Sequence, residues 1–143
     1  MARVDFYILS TQDEASRLLY VCRLVDKAWR LGHRVWIHAP DPEHAAALDE
    51  RLWTFSQDSF LPHERDAEER DGACPVVIGA QPANGEERHL LVNEGSEMPD
   101  YAGRFTRIAE VVDQSPETRA AGRTRYREYR DAGYELHHHH STS

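Results

Sequence analysis

The stretch ARVDFYILSTQDEASRLLYVCRLVDKAWRLGHRVWIHA, residues 2 to 39, decides the fold class. Its opening run, Ala2 to Leu9, mixes β-branched and aromatic residues, the composition of a strand. Ala15, Leu18, Leu19, Cys22, Val25, Ala28 and Trp29 then recur at spacings of three and four, which predicts an amphipathic helix. Gly32 stops that helix, because glycine accepts the left-handed conformation that closes a helix C-terminus. HRVWIHA, His33 to Ala39, reads as a second, well-buried strand, and core packing accounts for Trp29 and Trp36.

The pattern repeats downstream. In DPEHAAALDERLW, Asp41 is placed to cap a helix with Pro42 at its first position, and Ala45, Ala46, Leu48, Leu52 and Trp53 supply its apolar residues. Strand and helix alternating through short connections is the signature of a parallel sheet covered by helices. The expectation is a single-domain three-layer α/β/α sandwich, Rossmann-like, with a mainly parallel sheet.

PVVIGA, Pro75 to Ala80, and RHLLVN, Arg88 to Asn93, are short apolar runs read as further strands, with AQPANGEE between them as a turn or hairpin loop. PDYAGRFTRIAEVVD fits both periods in part; Val-Val before a Ser-Pro turn favours a short helix at Pro99 to Arg104 and a strand at Thr106 to Val112. Ser115 then caps a last helix that starts at Pro116 and stops at Gly133. Asp58 to Gly72 starts apolar and ends as a charged loop. The domain is taken as residues 1 to 136. The histidine-rich segment 137 to 143, a purification tag or a natural tail, is set apart.

The chain has 143 residues, 40% hydrophobic and 29% charged, with a formal net charge of −8. That balance suits one soluble globular domain rather than a disordered chain. No apolar run approaches the roughly 20 residues needed to cross a bilayer, and MARVDFYIL lacks a signal-peptide core. Cys22 and Cys74 belong to no CxxC pattern, as expected of reduced thiols in a cytoplasmic protein. Outside the run His137 to His140, the histidines show no metal-ligand spacing. No metal or cofactor is expected.

The first strand-to-helix turn, LSTQDEAS, tests for nucleotide chemistry. A dinucleotide site needs glycines there, and a P-loop needs glycines and a lysine. This turn has neither, and it offers Asp13 and Glu14 where phosphate would sit; Ser10 and Thr11 are assigned to helix capping. GxSxG and the local signatures of catalytic cysteines are also absent. The sequence reads as a non-enzyme.

The charge pattern near the C-terminus is more informative. RTRYREYRDAGYEL, Arg123 to Leu136, packs four arginines and three tyrosines into fourteen residues. On a helix, Arg119, Arg123, Tyr126, Arg127, Arg130 and Tyr134 share one side. Arginines stacked at i, i+4 repel each other, so something outside the helix must gain from them. Guanidinium grips carboxylate bidentately, and tyrosine adds apolar area and a hydroxyl. A net charge of −8 disfavours phosphate at long range, so an acidic peptide fits better than nucleic acid. The alternative is direct binding of single-stranded nucleic acid, with the stripe as a stacking platform.

A second cluster lies in ERLWTFSQDSFLPH, where Trp53, Phe55, Phe60, Leu61 and Pro62 crowd a polar break. They fit either a core edge or an exposed apolar patch of the kind that marks a partner site.

VDFYIL, ALDERLWTFSQDSFLPHE, PVVIGA and RTRYREYRDAGYEL together resemble the chi subunit family of bacterial DNA polymerase III, along nearly the whole chain. The most specific portions are the LDExLW…SFxPH block and the RxRYxxYRxAGxxL helix. The resemblance implies a Rossmann-type sandwich without catalytic activity that bridges two partners of the clamp-loader assembly. One is the acidic C-terminal tail of the single-stranded-DNA-binding protein, which ends in Pro-Phe. The other is the psi subunit, or a DNA-repair helicase on an overlapping surface. Contact with single-stranded DNA is then indirect, and the implied state is a monomer or a heterodimer with psi. Matched position by position, the tail site is Arg119, Arg123, Tyr126 and Arg127, with Ser115 where the family has an apolar pocket wall. The psi or helicase site is Trp53, Phe60, Leu61 and Pro62, with His63 adjacent.

Overall fold

The computed structural model describes residues 2–56, 61–66, 74–82 and 88–141. Among them, β1 (Arg3–Leu9), β2 (Val35–His38), β3 (His63–Arg65), β4 (Val76–Gly79), β5 (Leu90–Asn93), β6 (Arg107–Val112) and β7 (Glu135–Ser141) form one sheet. Its order is β3-β4-β2-β5-β6-β1-β7, and every paired neighbour is parallel. The helices are α1 (Glu14–Arg30), α2 (Pro42–Thr54) and α3 (Pro116–Asp131), with a short 3₁₀ turn at Ala102–Arg104.

Alternation along the strands divides the core into two layers. Val35, Ile37, Val76, Ile78 and Val92 face α1 and α2, packing on Leu18, Cys22, Val25, Leu48 and Leu52. Val4, Phe6, Trp36, Val77, Leu91, Ile108 and Val112 face the other way, onto Tyr101, Phe105 and Tyr129. The three-layer parallel sandwich is therefore as the sequence predicts. Gly32 and Gly133 have φ of 88° and 92°, the left-handed stops expected after α1 and α3. Neither Cys22 nor Cys74 is in a disulfide, and burial pushes the Cys22 thiol up to about 12.

Several expectations are corrected. Asp13, not Ser10 or Thr11, caps α1, accepting from the Ser16 amide at 2.9 Å. Ala15 and Ala46 face solvent. No hairpin joins β4 and β5: both run parallel to β2, which lies between them. β3 is a strand of three residues, HER, too short and too charged to show alternation. The expected boundary at residue 136 falls inside β7, which continues through the histidine run and pairs with β1 from Arg3↔Glu135 to Leu9↔Ser141. Backbone pairing holds an edge strand whatever its side chains, so hydrophobic periodicity gives no sign of it. Among the described residues, no helix is long and apolar enough to cross a membrane.

Candidate functional site

α3 is fixed to the sheet by its buried side. Glu110 on β6 is fully buried and accepts from Arg125 Nε at 2.9 Å, Tyr129 Oη at 2.7 Å and Asn93 Nδ2 at 2.8 Å. Arg125 Nη1 also donates to the Ser96 carbonyl at 3.0 Å. Burial pushes the Glu110 carboxyl above its ordinary range, opposed by Arg125, Asn93 and Tyr129. A buried carboxylate is tolerable only with such donors. Arg125 is thus a structural cation, distinct from the other arginines of its helix.

Gly122 sets how close α3 comes. A Cβ there would lie 3.0 Å from Val112 Cγ2. Where this residue passes β6, a cavity of about 380 Å³ opens between α3 and strands β1 and β7. Phe6, Ile8, Val112 and Gly122 give it an apolar floor, Arg119, Arg123 and Tyr126 one wall, and His138 and His140 the other, with Gln114 at one end. Tyr126 sits edge-on to Phe6 at 5.5 Å and against the His138 ring at 5.1 Å.

Charge pairing separates the arginines. Arg3 and Arg107 bond Asp5, Arg17 bonds Glu94, and Arg125 bonds Glu110. Among the described residues, Arg119, Arg123 and Arg127 make no ion pair. Unpaired guanidinium beside an apolar pit suits a carboxylate attached to an apolar group.

The structure brings Arg119, Arg123 and Tyr126 together at this groove, but not all their expected companions. Arg127 is exposed and outside the lining. Ser115 stands at the N-cap position of α3 without a side-chain cap bond; its hydroxyl lies 2.7 Å from Asp113 Oδ1 and 2.8 Å from Thr118 Oγ1. Ser115 is not among the residues lining the cavity, whereas its neighbours Val112 and Gln114 are. Arg130 is exposed against Asp131, and Tyr134 packs on Tyr129 at 5.3 Å. Sequence reading missed His138 and His140 because it set the histidine run apart. The alternation of β7 is the signal that finds them, once that segment is known to be a strand.

The second expected cluster divides. Trp53 is 55% exposed at the end of α2, whereas Leu61 is 2% exposed and belongs to the core. His63 is buried, with Nδ1 2.8 Å from the Leu61 carbonyl oxygen and Nε2 3.1 Å from Asp49 Oδ1; its ring lies 4.5 Å from that of Trp53. Pro62 is half-buried. Phe60 lies outside the described residues.

No group of three or more metal-ligating side chains occurs among the described residues. Fold and groove together define a parallel α/β sandwich whose first turn lacks a nucleotide loop and whose last helix presents unpaired cations beside an apolar pit. The family model "DNA polymerase III chi subunit, HolC" matches residues 1–137. DNA polymerase III subunit chi of Pseudomonas aeruginosa is 41% identical over 139 residues, covering 97% of this chain and 96% of that protein. Its Escherichia coli counterpart is 32% identical over 141 residues, covering 95% and 96%, and that of Haemophilus influenzae 31% over 133 residues, covering 92% of each. The chain belongs to the DNA polymerase III chi subunit family and is a component of DNA replication.

Among solved structures, T4 UvsW aligns with a TM-score of 0.67 at 10% identity, over 99% of this chain and 42% of that one. Domain 2 of the DEAD-box helicase Mss116p, bound to an RNA duplex, aligns at 0.62 with 12% identity, over 97% and 64%. At these identities the likeness is one of fold alone.

Proposed function

We propose that this chain is a non-catalytic adaptor of the bacterial clamp-loader assembly that binds the acidic C-terminal tail of the single-stranded-DNA-binding protein in the groove between α3 and β7. The observation that carries the reading is the placement of unpaired Arg119 and Arg123, with Tyr126, at the rim of an apolar pit on an acidic protein. Arg123 and Arg119 take the terminal carboxylate and aspartates, and the final aromatic ring enters the floor formed by Phe6, Ile8 and Val112. Exposed Arg127 adds only a screened attraction.

A short peptide held this way binds at about the micromolar level, roughly −8 kcal/mol, and more weakly as salt rises. Several tails on one DNA-binding protein raise the effective affinity. At the opposite edge of the sheet, exposed Trp53, whose ring meets that of His63, is the proposed contact for psi or a repair helicase, together with half-buried Pro62. The cytoplasm follows from the role.

The test is a fluorescence titration with an aspartate-rich peptide ending in Pro-Phe. Binding at low salt is expected, with a loss of at least tenfold for Arg123→Ala. Absence of binding, or equal affinity for both proteins, rejects the reading. Tight binding of an oligonucleotide alone, with the peptide ignored, would favour a single-stranded nucleic-acid module instead.

A further inference from the structure

The histidine run of β7 has a use that follows from strand alternation. His137 and His139 point to the α1 side, where His139 stacks on Tyr7 at 4.9 Å and its Nε2 lies 2.8 Å from Asp5 Oδ1. His138 and His140 point to the α3 side and line the groove opposite Arg119 and Arg123. We propose that His138 and His140 are specificity-determining residues of the acidic-peptide groove, switching it from two fixed cations to as many as four as the pH falls. This rests on the reading of the groove given above.

The groups facing the two imidazoles can be named element by element. α3 presents Arg119, Arg123 and Tyr126; β1 presents Phe6 and Ile8; β6 and the turn after it present Val112 and Gln114. Among the described residues, no carboxylate lines the groove, so no internal acid satisfies a charged ring there. Carboxylates of a bound peptide bring negative charge beside the rings, and an opposite charge nearby favours the charged form. Binding therefore takes up protons in the range where imidazole titrates, about pH 5 to 8. Aspartate and arginine hold constant charge across most of that range, so the pH dependence reports the histidines.

The experiment titrates the full chain with the same aspartate-rich Pro-Phe peptide at constant ionic strength, between about pH 6 and pH 8. Wild type is expected to bind about three- to tenfold more tightly at the lower pH. Calorimetry in buffers of differing ionisation enthalpy should register proton uptake. The variant carrying His138→Gln and His140→Gln keeps polar side chains of similar reach but cannot titrate, and its affinity should be flat with pH. Wild-type binding without pH dependence or proton uptake overturns the inference while leaving the groove assignment standing. An unchanged slope in the double variant does the same. Absence of wild-type binding at every pH overturns both.

Discussion

Tyr129 donates its hydroxyl proton to Glu110 across 2.7 Å of fully buried interior, and Arg125 reaches the other oxygen of the same carboxylate. Two residues one turn apart on α3 thus lock its rotation, and the lock leaves Arg119, Arg123 and Tyr126 turned toward β7. Removing the partners should cost unequal amounts. Tyr129→Phe deletes one hydrogen bond to a charged group, about 1.5–3 kcal/mol. Arg125→Ala leaves an uncompensated buried carboxylate, about 3–5 kcal/mol. Urea unfolding measures both; equal, small losses would show that the network does not hold the helix.

Gly122 sets propensity against packing. Glycine inside a helix costs about 1 kcal/mol relative to alanine, so Gly122→Ala should stabilise if space were free. The new Cβ would stand 3.0 Å from Val112 Cγ2, and a β-branched side chain has little room to turn. Gly122→Ala is therefore expected to destabilise by about 1 kcal/mol. In a Val112→Ala background the same change should become neutral or stabilising, a coupling that a double-mutant cycle reads directly.

Arg123 and Arg127 should not be equivalent. Arg123 lines the cavity and Arg127 does not. Arg123→Ala is expected to weaken tail-peptide binding by about 1.5–3 kcal/mol, and Arg127→Ala by no more than about 1 kcal/mol, a loss that added salt erases. The reverse order in a titration would place the peptide along the outer stripe rather than in the groove.

Trp53 and Leu61 should separate by stability. Leu61→Ala empties a core position and is expected to cost about 2–5 kcal/mol. Trp53→Ala, at an exposed site, should change the unfolding midpoint little while removing psi or helicase association. Comparable destabilisation by both would return Trp53 to the core.

His44 supplies a pH prediction. Its hydrogen bond to Glu94 raises the imidazole value against the opposing effect of burial. Folding therefore favours the protonated ring. The stabilisation is fully present below the unfolded value, about 6.5, and is lost as pH rises through the higher folded value. His44→Gln should lower the melting temperature more near pH 6 than near pH 9; an equal difference at both would mean that the pair is not charged.

The sequence by itself determined the alternation of strands and helices, the glycine stops after α1 and α3, the Asp41 cap and the arginine-rich last helix. These are local matters of periodicity and backbone conformation. Strand order was not legible. β1, α1 and β2 are consecutive, yet β5 and β6 lie between β1 and β2, because a parallel crossover leaves open how many strands it skips. Nor does the sequence tell which arginine of α3 is structural. Arg123 and Arg125 are two positions apart, and only the fixed rotation of the helix against Glu110 buries one and frees the other. The same holds for Leu61 and Trp53, and for His138, whose role arises when an edge strand with no hydrophobic signal pairs with β1 and turns alternate rings toward the groove.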